Sequence, residues 1–165
     1  MNIAELFVKT LDKRKLSVSS AESCTGGLLS ARLVNVAGVS ETFKYGMIPY
    51  SNKAKRKLLG IKKSLLEKYG AVSAPVAEEM AKGAASNTKA DVSVAVTGLA
   101  SPGQEEDKPA GLVYIACCVK GEMVVEEYHF SGSRQKIRES AVAAALILAR
   151  KCMLEYVSKV TFGKK

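Results

Sequence analysis

Apolar residues in the first dozen positions recur at helical spacing. Ile3, Leu6, Phe7 and Leu11 fall near one face, which predicts a helix over residues 2–13. Residues 17–21 read as a strand and 25–36 as a second helix, broken by Ala37-Gly38-Val39-Ser40. A short helical turn is expected at 41–44, then a strand at 45–50. Pro49 has no N–H to give to a ladder and marks that strand's end or an edge position. Ser51-Asn52 is a start signal for a helix over 53–59, stopped by Gly60, and 64–69 is a second short helix, stopped by Gly70. Ser73-Ala74-Pro75 opens a longer helix over 76–86, with Glu78 and Glu79 in its first turns, where the helix dipole favours acids. Residues 91–96 form a strongly apolar strand ending at Thr97-Gly98. The stretch 99–110, with Pro102, Gly103, Pro109 and an acidic patch, reads as a loop. Two strands, 111–119 and 122–130, are joined by a turn at Lys120-Gly121. Ser131-Gly132-Ser133 caps a final helix over 134–157, whose alanine-rich face suits close packing.

Helices thus fall on both sides of the apolar strands in chain order. The fold class this predicts is α/β, a three-layer α/β/α sandwich with a mixed sheet, since the last two strands pair antiparallel. No repeat, linker or low-complexity segment interrupts the pattern, and 1–165 is read as one domain.

Composition narrows the classes. The chain is 47% hydrophobic and 25% charged, values of an ordinary globular protein. It contains no apolar run long enough to span a bilayer, and its first 15 residues lack the continuous apolar centre of a signal peptide. A cytoplasmic protein without a membrane partner is expected. The net charge of +9 raises the question of nucleic acid. The lysines are scattered, however, few aromatics interleave with them and tryptophan is absent. A solvated basic surface ranks first, an anionic small substrate second and nucleic acid third. The four cysteines form no Cys-x-x-Cys pair and there is one histidine, so neither a zinc site nor a redox dithiol is expected. No cofactor is expected. Cys117 and Cys118 are neighbours on a strand and should face opposite sides of the sheet. Buried free thiols are the expected state of all four.

Candidate chemistry gathers at Ala21-Glu22-Ser23-Cys24-Thr25-Gly26-Gly27, a strand running through a glycine-rich turn into a helix. Such a turn exposes a side chain at the strand's carboxyl end. It also offers unpaired helix N–H groups to an anion or a developing oxyanion. Ser23 sits at this turn, and Gly26 and Gly27 would let a substrate approach the backbone. The alternative is that Ser23 or Thr25 simply caps the helix. The spacing matches neither a P-loop nor a dinucleotide fingerprint. Cys24 is a rival nucleophile with no histidine near it in sequence. A serine nucleophile needs a base. His129 lies within a strand, where a structural role is the more usual one. Lysine is the recognised alternative. Lys55 lies in the first turn of its helix, where the dipole and its neighbours Lys53, Arg56 and Lys57 disfavour an ammonium. Tyr50, at the strand-to-helix junction, is placed to relay a proton. A solvated lysine and a packed aromatic are the alternatives for these two. Thr97 and Gly98, at the carboxyl end of the apolar strand, are candidates to contact a ligand. Arg134 and Arg138, one turn apart, have the fork geometry that suits phosphate, with surface ion pairing as the alternative.

Several stretches together resemble the C-terminal domain family of the competence/damage-inducible protein CinA, which includes stand-alone nicotinamide mononucleotide (NMN) deamidases. They are the turn just described, Tyr50-Ser51-Asn52-Lys53-Ala54-Lys55, Tyr69-Gly70-Ala71-Val72-Ser73, Ala95-Val96-Thr97-Gly98, Lys108-Pro109-Ala110-Gly111 and Phe130-Ser131-Gly132-Ser133-Arg134. The resemblance runs from about Ile3 to about Leu154. It implies a metal-independent amidohydrolase converting NMN and water to nicotinate mononucleotide and ammonia in pyridine nucleotide recycling. By the family pattern Ser23 is the nucleophile and Tyr50 and Lys55 its activators, with N–H groups near Thr25, Gly26 and Gly27 holding the oxyanion. Phosphate would engage Arg134, Arg138 or a helix N-terminus. A homo-oligomer, dimer or higher, is also implied. Members occur fused behind a molybdopterin-binding-like domain; with no such domain in this sequence, the pyrophosphatase activity associated with it is not expected. Departures from the pattern are Tyr45, Pro49 and the run Leu99-Ala100-Ser101-Pro102-Gly103, in which Ser101 replaces a glycine. They bear on ligand fit and leave the Ser–Tyr–Lys set intact. The different-class alternative is a family member that binds a nucleotide or a protein without turning it over.

Overall fold

Helix starts are fixed by local chemistry. Helix α1 (Ile3–Arg14) opens on Asn2, whose side chain accepts the Glu5 N–H while the Glu5 carboxylate accepts the Asn2 N–H. Helices α3 (Asn52–Leu59), α5 (Ala74–Thr88) and α6 (Arg134–Phe162) open on Ser51, Ser73 and Ser133, each hydroxyl accepting the N–H three residues on. The remaining helices are α2 (Leu28–Val34) and α4 (Lys63–Tyr69). The strands are β1 (Val18–Glu22), β2 (Phe43–Met47), β3 (Val92–Gly98), β4 (Leu112–Val119) and β5 (Glu122–His129). This computed structural model describes residues 1–102 and 107–163.

The strands form one mixed sheet in the order β2-β1-β3-β4-β5. Strand β1 pairs parallel with both β2 and β3, while β3–β4 and β4–β5 are antiparallel. Helices α1, α2 and α6 cover one face, where Phe7, Leu11, Leu29, Leu146 and Met153 pack on Val94, Val96 and Ile115. Helices α3, α4 and α5 cover the other, with Leu59, Leu66 and Met80 against Ala21, Ala95 and Ala116. The result is the expected α/β/α sandwich. Cys117 and Cys118 divide between the two cores as the strand period requires, and all four cysteines are free and buried.

Several boundaries move. Helix α2 begins at Leu28 rather than residue 25, because Gly26 and Gly27 hold positive φ of 56° and 98° and cannot belong to a right-handed helix. Strand β2 ends at Met47, before Pro49, instead of running to residue 50. The turn expected at 41–44 is a 3₁₀ turn at Val39–Glu41. Helix α5 starts at Ala74 because its first turn tolerates Pro75. Helix α6 runs on to Phe162 instead of stopping at 157. Lys120 and Gly121 both take positive φ, as the tight β4–β5 turn needs. Gly103, Glu105 and Glu106 of the expected 99–110 loop lie outside the described residues.

The topology places the site. From β1 the chain goes to β2 on one side and later to β3 on the other. The connections therefore diverge at the carboxyl ends of β1 and β3 and leave a crevice there. Helix α3, on one wall, is held by a close approach to α5. A Cβ built on Gly83 would lie 2.4 Å from the Leu59 carbonyl oxygen. Gly83→Ala must push α3 outward, and we expect a loss of about 1–3 kcal/mol of stability, read by urea unfolding.

Asp91 ties the start of β3 to the start of β1 and to the β4–β5 turn. Its carboxylate accepts the Ser17 N–H and hydroxyl at 2.8 and 2.9 Å and lies 3.6 Å from the Lys120 amine. Burial pulls its pKa upward, but the Ser17 bonds and the Lys120 charge outweigh it and hold the carboxyl below its ordinary value. A depressed carboxyl stabilises the fold above its unfolded pKa, and that contribution disappears as pH falls through the lowered folded value. Asp91→Asn should therefore cost about 1–2 kcal/mol at neutral pH, with the deficit shrinking as both proteins are titrated below the carboxylate range.

Candidate active site

Strand β1 delivers Ser23 to the crevice. The ladder persists one residue past the strand, with the Ser23 N–H donating to the Val96 carbonyl at 2.9 Å. The chain then turns sharply, the Gly26 N–H closing on the Ser23 carbonyl at 3.0 Å. Ser23 is buried at the floor of a cleft of about 870 Å³, a size in the range of small-ligand sites.

Lys55 comes from the first turn of α3 and is 1% exposed. Its Nζ donates to Ser23 Oγ at 2.9 Å and to the Pro49 carbonyl at 3.1 Å. The solvated-lysine reading is thereby overturned. Pro49, a departure from the family pattern, supplies a backbone oxygen that anchors the amine.

Glu22 was not singled out by the sequence reading. It is fully buried, and its carboxylate accepts N–H groups from Gly27 (3.1 Å), Leu29 (2.9 Å) and Ser30 (2.8 Å) and the Ser30 hydroxyl (2.7 Å). A carboxylate from the end of β1 thus occupies the positive end of α2. This corrects the expected oxyanion donors. The Gly27 N–H goes to Glu22, that of Gly26 to Ser23 and that of Leu28 to Thr25. The one signal in the sequence is an acid five residues ahead of a helix-starting glycine. Gly46 serves the same network from β2, since a Cβ there would meet the Ser30 hydroxyl at 2.5 Å.

Arg138 also differs from expectation. Its Nε and Nη2 donate to the Cys24 and Thr25 carbonyls at 3.0 and 2.9 Å. The guanidinium braces the Ser23 turn, and Arg138 is not among the residues lining the cleft. Gly26 and Gly27 meet protein rather than open space. A Cβ on Gly26 would stand 3.5 Å from Arg138, and one on Gly27 would stand 3.1 Å from Ile48. The Thr25 side chain is fully buried, and its hydroxyl has no hydrogen-bond partner among the described residues.

The other candidates divide. Tyr50 and Arg134 line the cleft mouth, where the Tyr50 hydroxyl accepts from Arg134 Nη2 at 3.1 Å and Arg134 Nη1 donates to Ser101 Oγ at 2.9 Å. Tyr50 is thus an exposed aromatic rather than a packed one. Thr97 and Gly98 also line the cleft. The Thr97 hydroxyl donates to the Ala71 carbonyl at 2.8 Å, and Gly98 abuts β4, where a Cβ would meet Val113 at 2.7 Å. Burial pushes the Cys24 thiol up to about 11, so the thiolate is scarce at neutral pH. His129 closes β5, exposed and 2.6 Å from Glu127, and does not line the cleft. Lys53 and Arg134 bring positive charge to the lining, and no described lining residue is acidic.

Comparison with known proteins identifies the family. The family model for the CinA C-terminal domain matches residues 1–153. A CinA-like protein of Kosmotoga olearia is 46% identical over 157 residues, covering 94% of this chain and 38% of its own length. A Clostridium novyi relative is 47% identical over 147 residues, covering 88% of this chain and 36% of its own. The chain therefore spans little more than a third of these curated relatives. Among solved structures, a CinA superfamily protein of Klebsiella pneumoniae superposes with a TM-score of 0.90 at 29% identity, covering 93% of this chain and 96% of its own. A competence/damage inducible protein of Agrobacterium tumefaciens gives 0.86 at 38% identity, covering 90% and 93%.

Glu22→Gln tests the turn. It replaces one acceptor oxygen with an amide N–H₂ facing donors and leaves buried N–H groups unsatisfied. The expected cost is about 2–3 kcal/mol in urea unfolding.

Proposed function

The chain belongs to the CinA C-terminal domain family, which includes amidohydrolases, and from that premise we propose that residues 1–165 form one NMN deamidase domain. It hydrolyses NMN to nicotinate mononucleotide and ammonia. The observation that carries this reading is the buried Lys55 amine 2.9 Å from the Ser23 hydroxyl, at the floor of the cleft.

Removal from water favours the neutral amine over the ammonium, which is the form a base requires. Neutral Lys55 takes the Ser23 proton as Oγ bonds to the carboxamide carbon. The carbonyl oxygen becomes an oxyanion. Of the turn's N–H groups, those of Cys24 and Thr25 make no hydrogen bond to another residue among the described residues, and they are the donors left for it. As the tetrahedral intermediate collapses, the C–N bond breaks and the Lys55 proton passes to the departing amine, with the Tyr50 hydroxyl at the mouth as second donor. Water, deprotonated by Lys55, then attacks the acyl-enzyme, releasing the carboxylate and restoring Ser23. Arg134 and Lys53, both in the cleft lining, supply charge for the phosphate.

One observation favours a second reading, a nucleotide binder without turnover. The bond found for the Tyr50 hydroxyl is to Arg134, at the mouth. Ammonia release from NMN separates the two. Wild-type protein should release ammonia in the presence of a chelator, and Ser23→Ala and Lys55→Met should each lower the rate on the order of a thousandfold while remaining folded. No release from folded wild-type protein, or turnover surviving Ser23→Ala, overturns the assignment.

A further inference from the structure

The motif Lys108-Pro109-Ala110-Gly111 has no part in the chemistry just proposed. Its lysine nevertheless reaches the stretch 69–72, of which Gly70, Ala71 and Val72 line the cleft. Lys108 Nζ donates to the Tyr69 carbonyl at 2.9 Å and to the Val72 carbonyl at 2.6 Å. Tyr69 is the last residue of α4, so its carbonyl is one of the helix's unpaired acceptors, and a cation there also answers the negative end of the dipole. The carbonyl between them in the wall, that of Ala71, takes the Thr97 hydroxyl at 2.8 Å. Three carbonyls at the end of α4 and in the turn after it, those of Tyr69, Ala71 and Val72, are thus held by side chains from elsewhere in the chain.

That stretch needs external support. Helix α4 is seven residues long and buries one side chain, Leu66. Gly70 adopts a φ of 76°, and the bond made within the turn is that of the Ser73 hydroxyl to the Gly70 carbonyl at 2.9 Å. Gly70, Ala71 and Val72 all line the cleft. Lys108 itself is backed by the sheet, because the Gly111 N–H donates to the Leu99 carbonyl at 2.6 Å and β4 begins at Leu112. The ammonium therefore transmits the rigidity of β3–β4 to the wall.

We infer that Lys108 is a positioning residue that fixes the Tyr69–Ser73 wall and so sets the fit of the substrate, resting on the amidohydrolase reading of the cleft. Ser23 and Lys55 are carried by β1 and α3, so loss of Lys108 loosens binding and leaves the catalytic pair in place.

The experiment compares Lys108→Met and Lys108→Arg with wild type in ammonia release from NMN. Lys108→Met should raise KM by about tenfold with kcat changed less than about twofold, and Lys108→Arg, which keeps charge and donors, should recover most of the loss. A general loss of structure would lower kcat alongside and would not be rescued. Unchanged KM in Lys108→Met, or a fall in kcat equal to that in kcat/KM, overturns the inference. Amide hydrogen exchange supplies the arm independent of NMN. Lys108→Met should speed exchange at residues 70–73 relative to β1 and β3, whose rates stay at wild-type values; if Lys108→Met does not fold, Lys108→Gln is read by the same criteria. If wild-type protein releases no ammonia, the deamidase reading fails by itself, and wall exchange unchanged by the substitution then overturns the role of Lys108.

Discussion

The buried carboxylate of Glu22 is the constraint on which the site depends. A negative charge without solvent is tolerable only when fully hydrogen-bonded, and here three backbone N–H groups and a hydroxyl meet it. Those donors belong to the start of α2, so one side chain fastens the helix to the end of β1. The chain between, Ser23 to Gly26, is thereby tethered at both ends. Arg138 braces the same turn from α6 by taking the Cys24 and Thr25 carbonyls. The serine is held from the strand, from the helix that follows it and from the last helix of the chain.

The same anchoring governs what the turn offers a ligand. A helix N-terminus ordinarily attracts an anion, but in this protein the anion is built in. The positive charge that lines the cleft comes instead from side chains, those of Lys53 and Arg134. The basic character of the chain thus acquires a local meaning at the cleft, although most of its lysines remain solvated surface. Glycines follow a similar economy. Gly46, Gly83 and Gly98 are small because protein groups stand where their side chains would be, and Gly26 and Gly27 because the turn demands positive φ.

Much of this was legible in the residues. Hydrophobic periodicity and serine caps located the helices because both are short-range effects. The mixed sandwich followed from the order of elements, and the division of Cys117 from Cys118 followed from the two-residue period of a strand. Ser23, Lys55 and Tyr50 were legible as candidates through turn chemistry and family resemblance. What misled was any inference that assumed a group was free. Arg138 looked like a phosphate fork and braces a turn, and the Gly26 and Gly27 N–H groups looked available and are taken.

Sequence by itself determined the elements, the class of fold and the types of residue available for chemistry, since these depend on local propensity and on the alternation of apolar and polar positions. Tertiary structure decided which of those residues meet. Thirty-two positions separate Lys55 from Ser23 and 114 separate Arg138 from Cys24. Only the divergence of the chain on either side of β1 brings them together. A hydrogen bond formed over such a distance leaves no periodic trace in the sequence, because it depends on where whole elements pack.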